Sequence, residues 1–295
     1  MVRSKLIFSV LVITAFCAVA VPGFAKPAKQ LRNGYGLGGT TAEGWIANTD
    51  DSATFTGALY VTGSNFPGGG NAFGNIECND GGGDETNSDV LATYFFDGFH
   101  QGNFGLISTN GDAICDDLFY LNLDAQVTTG GALIKFNFQG GGDQVGSDIV
   151  GYGVMNRLAP VTPSGTYGFQ FWGTDDDDEG VAATGYVRLA TDTNGNVMIQ
   201  SGEIDCNYDG SDYTSNLLLC VNCVTLNGDG TGTMFFTTTG GDDICDFSKS
   251  LVVDFVLVNG GARFMFNSNA MYEVPSTNRT NSGEEMNVFG IADVQ

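Results

Sequence analysis

The chain has 295 residues, with 34 acidic and 11 basic side chains, one histidine and a formal net charge of −23. A charge of that sign works against nucleic acid, whose phosphates would repel it, and against direct docking on anionic lipid. The 44 Gly, 22 Phe and 10 Tyr, with alternating apolar segments set between Gly, Asn and Asp clusters about every 8 to 12 residues, exclude a helical protein and point to an all-β fold.

The N-terminus reads as an export signal. Arg3 and Lys5 precede an apolar run over 6–21 that only Ser9 and Thr14 interrupt, and Gly23-Phe24-Ala25 places small residues where a signal peptidase reads them. Residues 1–25 are expected to be cleaved, which removes two basic groups and no acid. Cys17 follows Phe16 inside the apolar run, which argues against a lipid-modified cysteine. No later stretch reaches the roughly 18 uncharged apolar residues of a membrane helix. The expected location is the periplasm or the cell exterior, without membrane insertion.

The mature part repeats itself after roughly 130 residues. Gly57, Cys78 and Cys115 match Gly185, Cys206 and Cys245. Ile76-Glu77-Cys78-Asn79 pairs with Ile204-Asp205-Cys206-Asn207, and Gly111-Asp112-Ala113-Ile114-Cys115-Asp116 with Gly241-Asp242-Asp243-Ile244-Cys245-Asp246. Two β repeats follow, 26–157 and 158–295, joined near 157–164 where Pro160 and Pro163 stiffen the linker.

Each repeat reads as eight consecutive strands, in the second at 167–173, 181–191, 196–207, 217–226, 232–238, 250–258, 262–267 and 288–294. Asn194-Gly195, Asn227-Gly228 and Asn259-Gly260 supply the positive φ of tight hairpins. Sequential hairpins make a meander, and pairing the first strand with the last removes the exposed edges. The expected architecture is a pair of small up-and-down β-barrels, with a β-sandwich as the alternative.

The sixth and seventh strands show the faces. Leu121, Leu123, Ala125 and Val127, like Leu251, Val253, Phe255 and Leu257, alternate with the other set and should point inward, as should Ala132, Ile134 and Phe136 and their counterparts Ala262, Phe264 and Phe266. Val252, Val256, Val258 and Met265 make the outer face of the second repeat the more apolar one. It is a candidate contact surface, between the repeats or for self-association of whole chains.

In a meander the connections after strands one, three, five and seven share one rim, and most of the acids fall there. The opposite turns hold only Asp97, Asp192 and Asp229. The cysteines belong to the same rim. Cys78 and Cys206 end a third strand, Cys115 and Cys245 follow a fifth, and strands two apart lie about 9.6 Å from each other, a gap that loop residues close. The expected disulfides are Cys78–Cys115 and Cys206–Cys245, in an oxidising compartment. Cys220 and Cys223 have no counterpart in the first repeat. A haem attachment fails because Val224 stands where His is required, and a zinc site or a redox pair lacks its companions. The preferred reading is a local disulfide around Val221-Asn222, with pairing to Cys206 or Cys245 as the alternative.

Calcium is the cation that gly-spaced carboxylates and loop carbonyls suit. The candidate ligands are Asp80, Asp84, Glu85, Asp116, Asp175, Asp177, Glu179, Asp209, Asp242 and Asp246, set against the plain alternative of solvated acidic loops. Asp192-Thr193-Asn194-Gly195-Asn196 is better read as a hairpin turn. Catalysis has little material: His100 is the one histidine, on the acid-poor side, with no equivalent in the second repeat.

The run over 165–207, with Tyr167-Gly168-Phe169-Gln170-Phe171, Val181-Ala182-Ala183-Thr184-Gly185, Asp192-Thr193-Asn194-Gly195-Asn196 and Gly202-Glu203-Ile204-Asp205, resembles a Gly-rich tandem β-repeat module of exported bacterial proteins. The resemblance implies an extracellular surface role, for a family with no assigned activity; the cysteines and acidic loops are outside its pattern. Two functions follow as expectations. One is a non-enzymatic structural or binding module that meets a cell-surface or matrix partner through its acidic, disulfide-pinned rim, calcium being its only candidate cofactor. The other is a calycin-like carrier with a small apolar ligand inside a barrel.

Overall fold

The computed structural model describes residues 31, 34–43, 53–66, 68–79, 86–97, 100–109, 114, 120–128, 132–141, 150–158, 161–175, 180–208, 210–239, 244–245, 250–271 and 286–295. The cleavage region expected near Ala25 lies outside them. The fold is all-β. The first barrel consists of β1 (Gly34–Glu43), β2 (Ala53–Phe66), β3 (Gly69–Asn79), β4 (Thr86–Phe96), β5 (Gln101–Ser108), β6 (Tyr120–Val127), β7 (Leu133–Gly141) and β8 (Val150–Arg157). Each strand pairs antiparallel with the next, and β1 pairs with β8 from Tyr35↔Arg157 onward, so the sheet closes. Alternation fills it as the sequence implies, except at Ala132, which was expected to point inward and is exposed where the chain enters β7. Leu121, Leu123, Ala125 and Val127 are buried, as are Ile134 and Phe136, while Asn122 and Gln126 face water. Phe55, Phe136 and Phe138 pack ring on ring, as do Tyr94, Phe96 and Phe104.

The second unit is a nine-stranded antiparallel sheet made of β9 (Gly165–Asp175), β10 (Gly180–Thr191), β11 (Val197–Tyr208), β12 (Ser211–Leu217), β13 (Val224–Leu226), β14 (Thr231–Thr237), β15 (Ser250–Val258), β16 (Arg263–Met271) and β17 (Met286–Val294). β17 pairs with β9, and the sheet's two ends are β12 and β13, which are consecutive in the chain. They correspond to the single strand β4. In the first barrel Val90 pairs with Ser108 and Tyr94 with Phe104; in the second, Leu217 bridges Thr238 and Val224 pairs with Met234. Residues 218–223 therefore stand where the first barrel has only 91–93. This corrects the expectation of one strand over 217–226: the strand begins earlier, at Ser211, and an insertion splits it. The sheet still curls into a barrel-like unit, because Cys220 bridges Ile199 on one side and Leu217 bridges Thr238 on the other.

The barrels pack side by side through β1 and β2 of the first and β15, β16 and β17 of the second. Val256, Val258, Met265 and Phe289 are buried together against Val154 and Leu158. The expected apolar patch is thus the contact between the repeats. The alternative of self-association through Val252, Val256, Val258 and Met265 is corrected, since the first barrel occupies that face and Val252 is buried as well. Glycine permits the close approach: a Cβ at Gly36 would lie 2.6 Å from Val258 Cγ1 and 2.7 Å from Val256 Cγ2, and one at Gly38 would lie 2.6 Å from the Phe289 ring.

Polar groups fix the register of this contact. The Thr54 and Thr56 hydroxyls donate to Asn287 Oδ1 and Asn267 Oδ1 at 2.5 and 2.6 Å, and Asn79 Nδ2 donates to the carbonyl and hydroxyl oxygens of Ser268. Toward the far end, the Tyr60 hydroxyl donates to the carbonyl of Asp229 at 3.3 Å. Burial first, then the nearby Asp229 carboxylate, pushes the Tyr60 pKa up to about 12.

Two outcomes are expected. Gly36→Val should destabilise by about 1–3 kcal/mol through overpacking, read as a lower urea midpoint, while a wild-type midpoint would show that the barrels can part without loss. Tyr60 is harder to ionise in the folded chain than at its ordinary value of 10.0, so its contribution is complete below pH 10 and is lost as pH rises toward 12. The thermal midpoint should fall across that window, and Tyr60→Phe should remove part of the fall.

Candidate functional site: the disulfide end of the barrels

Meander topology decides which connections share an end. In the first barrel the chain leaves one end at the close of β1, β3, β5 and β7; in the second it does so after β9, β11, β14 and β16. Thr54 and Asn79 lie at that end of the first barrel, and their partners Asn287 and Ser268 lie toward the same end of the second. The two ends therefore sit beside each other on one side of the protein. Of the expected calcium ligands, Asp80, Asp84, Glu85, Asp116, Asp177, Glu179, Asp209, Asp242 and Asp246 lie outside the described residues. Asp175 closes β9 with its backbone, and its side chain lies outside the description. Among the described residues, no three His, Cys, Asp or Glu side chains form a group able to hold a metal ion.

Cys206 and Cys245 pin this end of the second barrel. They are joined in a disulfide with Cα atoms 5.3 Å apart, and both are buried at the core of the second barrel. Cys245 takes a φ of 56°, an unusual turn for a non-glycine residue, directly after the buried Ile244. Cys78, the counterpart of Cys206, is also disulfide-bonded, and Cys115 lies outside the described residues. Cys220 and Cys223 form the second described disulfide, Cα atoms 5.6 Å apart, inside the insertion that splits β12 from β13. The backbone of Cys220 exchanges hydrogen bonds with Ile199, which ties the insertion to β11. Leu218, Leu219 and Val221 on it are turned to solvent.

The opposite end is built differently. Asp97, Asp192 and Asp229 cap their own turns: Asp97 accepts from the Gln101 N–H, Asp229 from the N–H and hydroxyl of Thr231, and Asp192 from Asn194 and Asn196. The Asn196 backbone N–H and amide hold the Asp192 carboxyl below its usual range. These carboxylates are spent on turn geometry, which fits the reading of 192–196 as a hairpin turn. His100 sits at this end with φ 70°. Its backbone accepts from Val127, and its Nδ1 is buried with no hydrogen-bond partner.

The interior of the second barrel is filled. The space enclosed among Phe169, Phe171, Met234, Phe255, Phe264 and Phe266 is about 20 Å³, with no polar wall. Among the described residues, a polar group also sits inside the first barrel. The Tyr94 hydroxyl is fully buried without a partner, and burial, then the neighbouring Tyr35, raises its pKa.

No protein-family model matches the chain, and no curated protein matches it in sequence. Solved structures resemble it distantly. An AttH-like protein of Nitrosomonas europaea aligns over 94% of this chain and 99% of its own, with 10% identity and a TM-score of 0.33. Kievitone hydratase of Nectria haematococca aligns over 93% and 92%, with 7% identity and a TM-score of 0.29. Transferrin binding protein B of Haemophilus parasuis covers 90% of this chain over 77% of its own, with 8% identity and a TM-score of 0.22.

Sequence reasoning missed the polar ties between the barrels. Their signal was present in Thr54 and Thr56, which flank Phe55 in strict alternation and whose outward hydroxyls are buried.

Closing a loop with a sequence separation of 39 stabilises by about 4 kcal/mol on chain-entropy grounds. The double variant Cys206→Ala, Cys245→Ala should therefore lose about 2–4 kcal/mol in denaturant unfolding, more than the Cys220→Ala, Cys223→Ala pair, which closes a short loop. Equal losses would mean that the long crosslink does not hold the end together.

Proposed function

We propose that this is an exported, non-enzymatic binding module whose two rigid barrels present the acid-rich connections of one end to a cell-surface or matrix partner, with calcium as the cation those connections hold. The observation that carries the reading is the juxtaposition of the two disulfide ends, which gathers the acid-rich connections of both repeats onto one side of the molecule. Stable disulfides fit an oxidising compartment outside the cytoplasm. Binding residues commonly sit on loops held by a rigid scaffold, and here the scaffold is two packed barrels. The one histidine, His100, lies at the opposite end, away from the acid-rich connections.

The carrier reading finds less support. An apolar cavity that takes a ring-sized ligand has a volume of roughly 150 Å³, whereas the second barrel encloses about 20 Å³.

The test is thermal unfolding of the oxidised mature chain with calcium and with chelator at matched ionic strength. A cation that binds only the folded state at about a hundred times its Kd adds about 2.7 kcal/mol, so the midpoint should rise clearly above the magnesium and sodium controls. A midpoint indifferent to calcium would leave the rim as solvated charge and sink the cation reading.

A further inference from the structure

We propose that the outer face of β9–β12 is a binding groove for a neutral oligosaccharide, with Trp172 as its aromatic wall and Gln170, Thr184, Asp205 and Asn207 as its hydrogen-bonding groups. The proposal is independent of the cation reading of the rim.

The ladder sets these side chains in two rows. Trp172, Ala182, Asn207 and Asp212 are cross-strand neighbours in one row; Gln170, Thr184, Asp205 and Thr214 make the next. Neighbours in a row share a face, and together the rows line a groove of about 570 Å³, within the range of roughly 300–1,000 Å³ typical of small-molecule sites. Ala182 and Thr184 are short, so the floor is low. Trp172 stands at one side, half-buried and packed perpendicular to Phe289 with centroids 5.6 Å apart, which holds the indole in place from the inter-barrel core. On the other side Asn207 Nδ2 donates to Asp212 Oδ1 at 2.9 Å, which orients the amide.

The repeat supplies a second, independent observation. By the ladder, the same positions in the first barrel are Gly38, Thr40, Thr54, Thr56, Glu77 and Asn79. That face is covered: Thr54, Thr56 and Asn79 donate across to the second barrel, and Gly38 admits the Phe289 ring. Thr184 and Asn207 keep the hydrogen-bonding groups of Thr56 and Asn79. Gln170 in place of Gly38 and Trp172 in place of Thr40 remove the flat approach that a barrel needs, and Ala182 in place of Thr54 deepens the floor. The two barrels thus share polar groups at these positions and differ in the side chains around them, which in the second barrel enclose a groove.

The lining chemistry selects the occupant. Asp205 and Asp212 without a basic residue in the lining repel an anion. An apolar ligand would bury Gln170 and Asp205 without answering their polar groups, at a cost of about 1–3 kcal/mol each. An ammonium group offers donors alone, whereas these amides and hydroxyls both donate and accept. Sugar hydroxyls match that mixture, and a pyranose ring has the apolar C–H face that an indole takes. A second copy of the chain fits poorly. The face of its first barrel equivalent to Val256, Val258 and Met265 carries Gln126, Thr128 and Lys135, which cannot replace the apolar contact.

The experiment is calorimetric titration of the mature chain, in chelator, with maltotriose, cellotriose, chitotriose, xylotriose and mannotriose, and tryptophan fluorescence on the same samples. Saturable binding of at least one is expected, weakened at least tenfold by Trp172→Ala and by Thr184→Lys, and unchanged by Asp97→Asn at the opposite end. Thr184→Lys fills the exposed floor without touching the Phe289 contact, so it remains informative if Trp172→Ala loosens the barrels. Absence of binding across the panel, or binding that both groove variants leave intact, overturns the proposal. So does sedimentation showing a dimer that Thr184→Lys dissolves, which would make the occupant a second copy.

Discussion

The close contact of glycine with branched and aromatic side chains between the barrels is the constraint on which the rest depends. Each barrel uses up its strand edges by closing or nearly closing, so only outer faces are left to join the repeats. Outer faces of soluble barrels are normally polar. Here β15 gives up that rule: Leu251, Val253, Phe255 and Leu257 serve its own core while Val256 and Val258 serve the contact, and every residue of the strand is buried. Gly36 and Gly38 on β1 bring backbone, rather than side chains, up to those groups. The hydrogen bonds of Thr54, Thr56 and Asn79 then choose one register among those the apolar contact alone would allow, since a slipped pairing would leave buried hydroxyls and amides unanswered. Because that register places disulfide end beside disulfide end, the geometry of the contact decides what surface the protein presents.

The architecture was legible in the sequence to the extent that it follows from period-two alternation and repetition. Leu121, Leu123, Ala125 and Val127 announce a strand with one buried face, and the matching segments in the two halves announce two such units. Sequential Asn and Gly turns made a meander the economical reading, and the β1–β8 pairing completes it. The split fourth strand was not legible, because Leu218 to Cys223 has the apolar character of a strand and only the geometry shows those residues leaving the ladder to be closed by their own disulfide. The role of Val256, Val258 and Met265 was half legible. Their outward position could be read from alternation, but whether another repeat or another chain covers them is a long-range fact that local pattern does not encode.

The candidate site divides in the same way. Shared ends can be deduced from strand count, which is why the acid-rich connections could be assigned to one rim. The groove could not. Trp172, Thr184 and Asp205 come from three strands, and their adjacency depends on registers such as Ala182↔Trp172 and Thr184↔Asp205. One residue of slip would turn each of them to the core. A signal existed in hindsight: Trp172 is an aromatic at an outward position of an alternating strand, between the inward Phe171 and a glycine, and a large outward aromatic calls for something to cover it. Phe289 covers part of it, and the groove is what the remainder faces.

Duplication explains why one face can have two fates. When a repeat is copied in tandem, the contact between the copies uses one face of the first and a different face of the second, a head-to-tail arrangement. Such an arrangement always leaves one unused face at each end. In a longer array those faces would be capped or would continue the array; here each has diverged in a way that blocks continuation. The first barrel's spare face is polar, with Gln126, Thr128 and Lys135 where the second has valine and methionine. The second barrel's spare face has Gln170 at the equivalent of Gly38 and Trp172 at the equivalent of Thr40. Blocking an array requires only that one of the two faces change. The first barrel's change is sufficient, so the indole and the low Ala182–Thr184 floor are not explained by the need to stop at two repeats, and a ligand of their own is the cause that fits their chemistry.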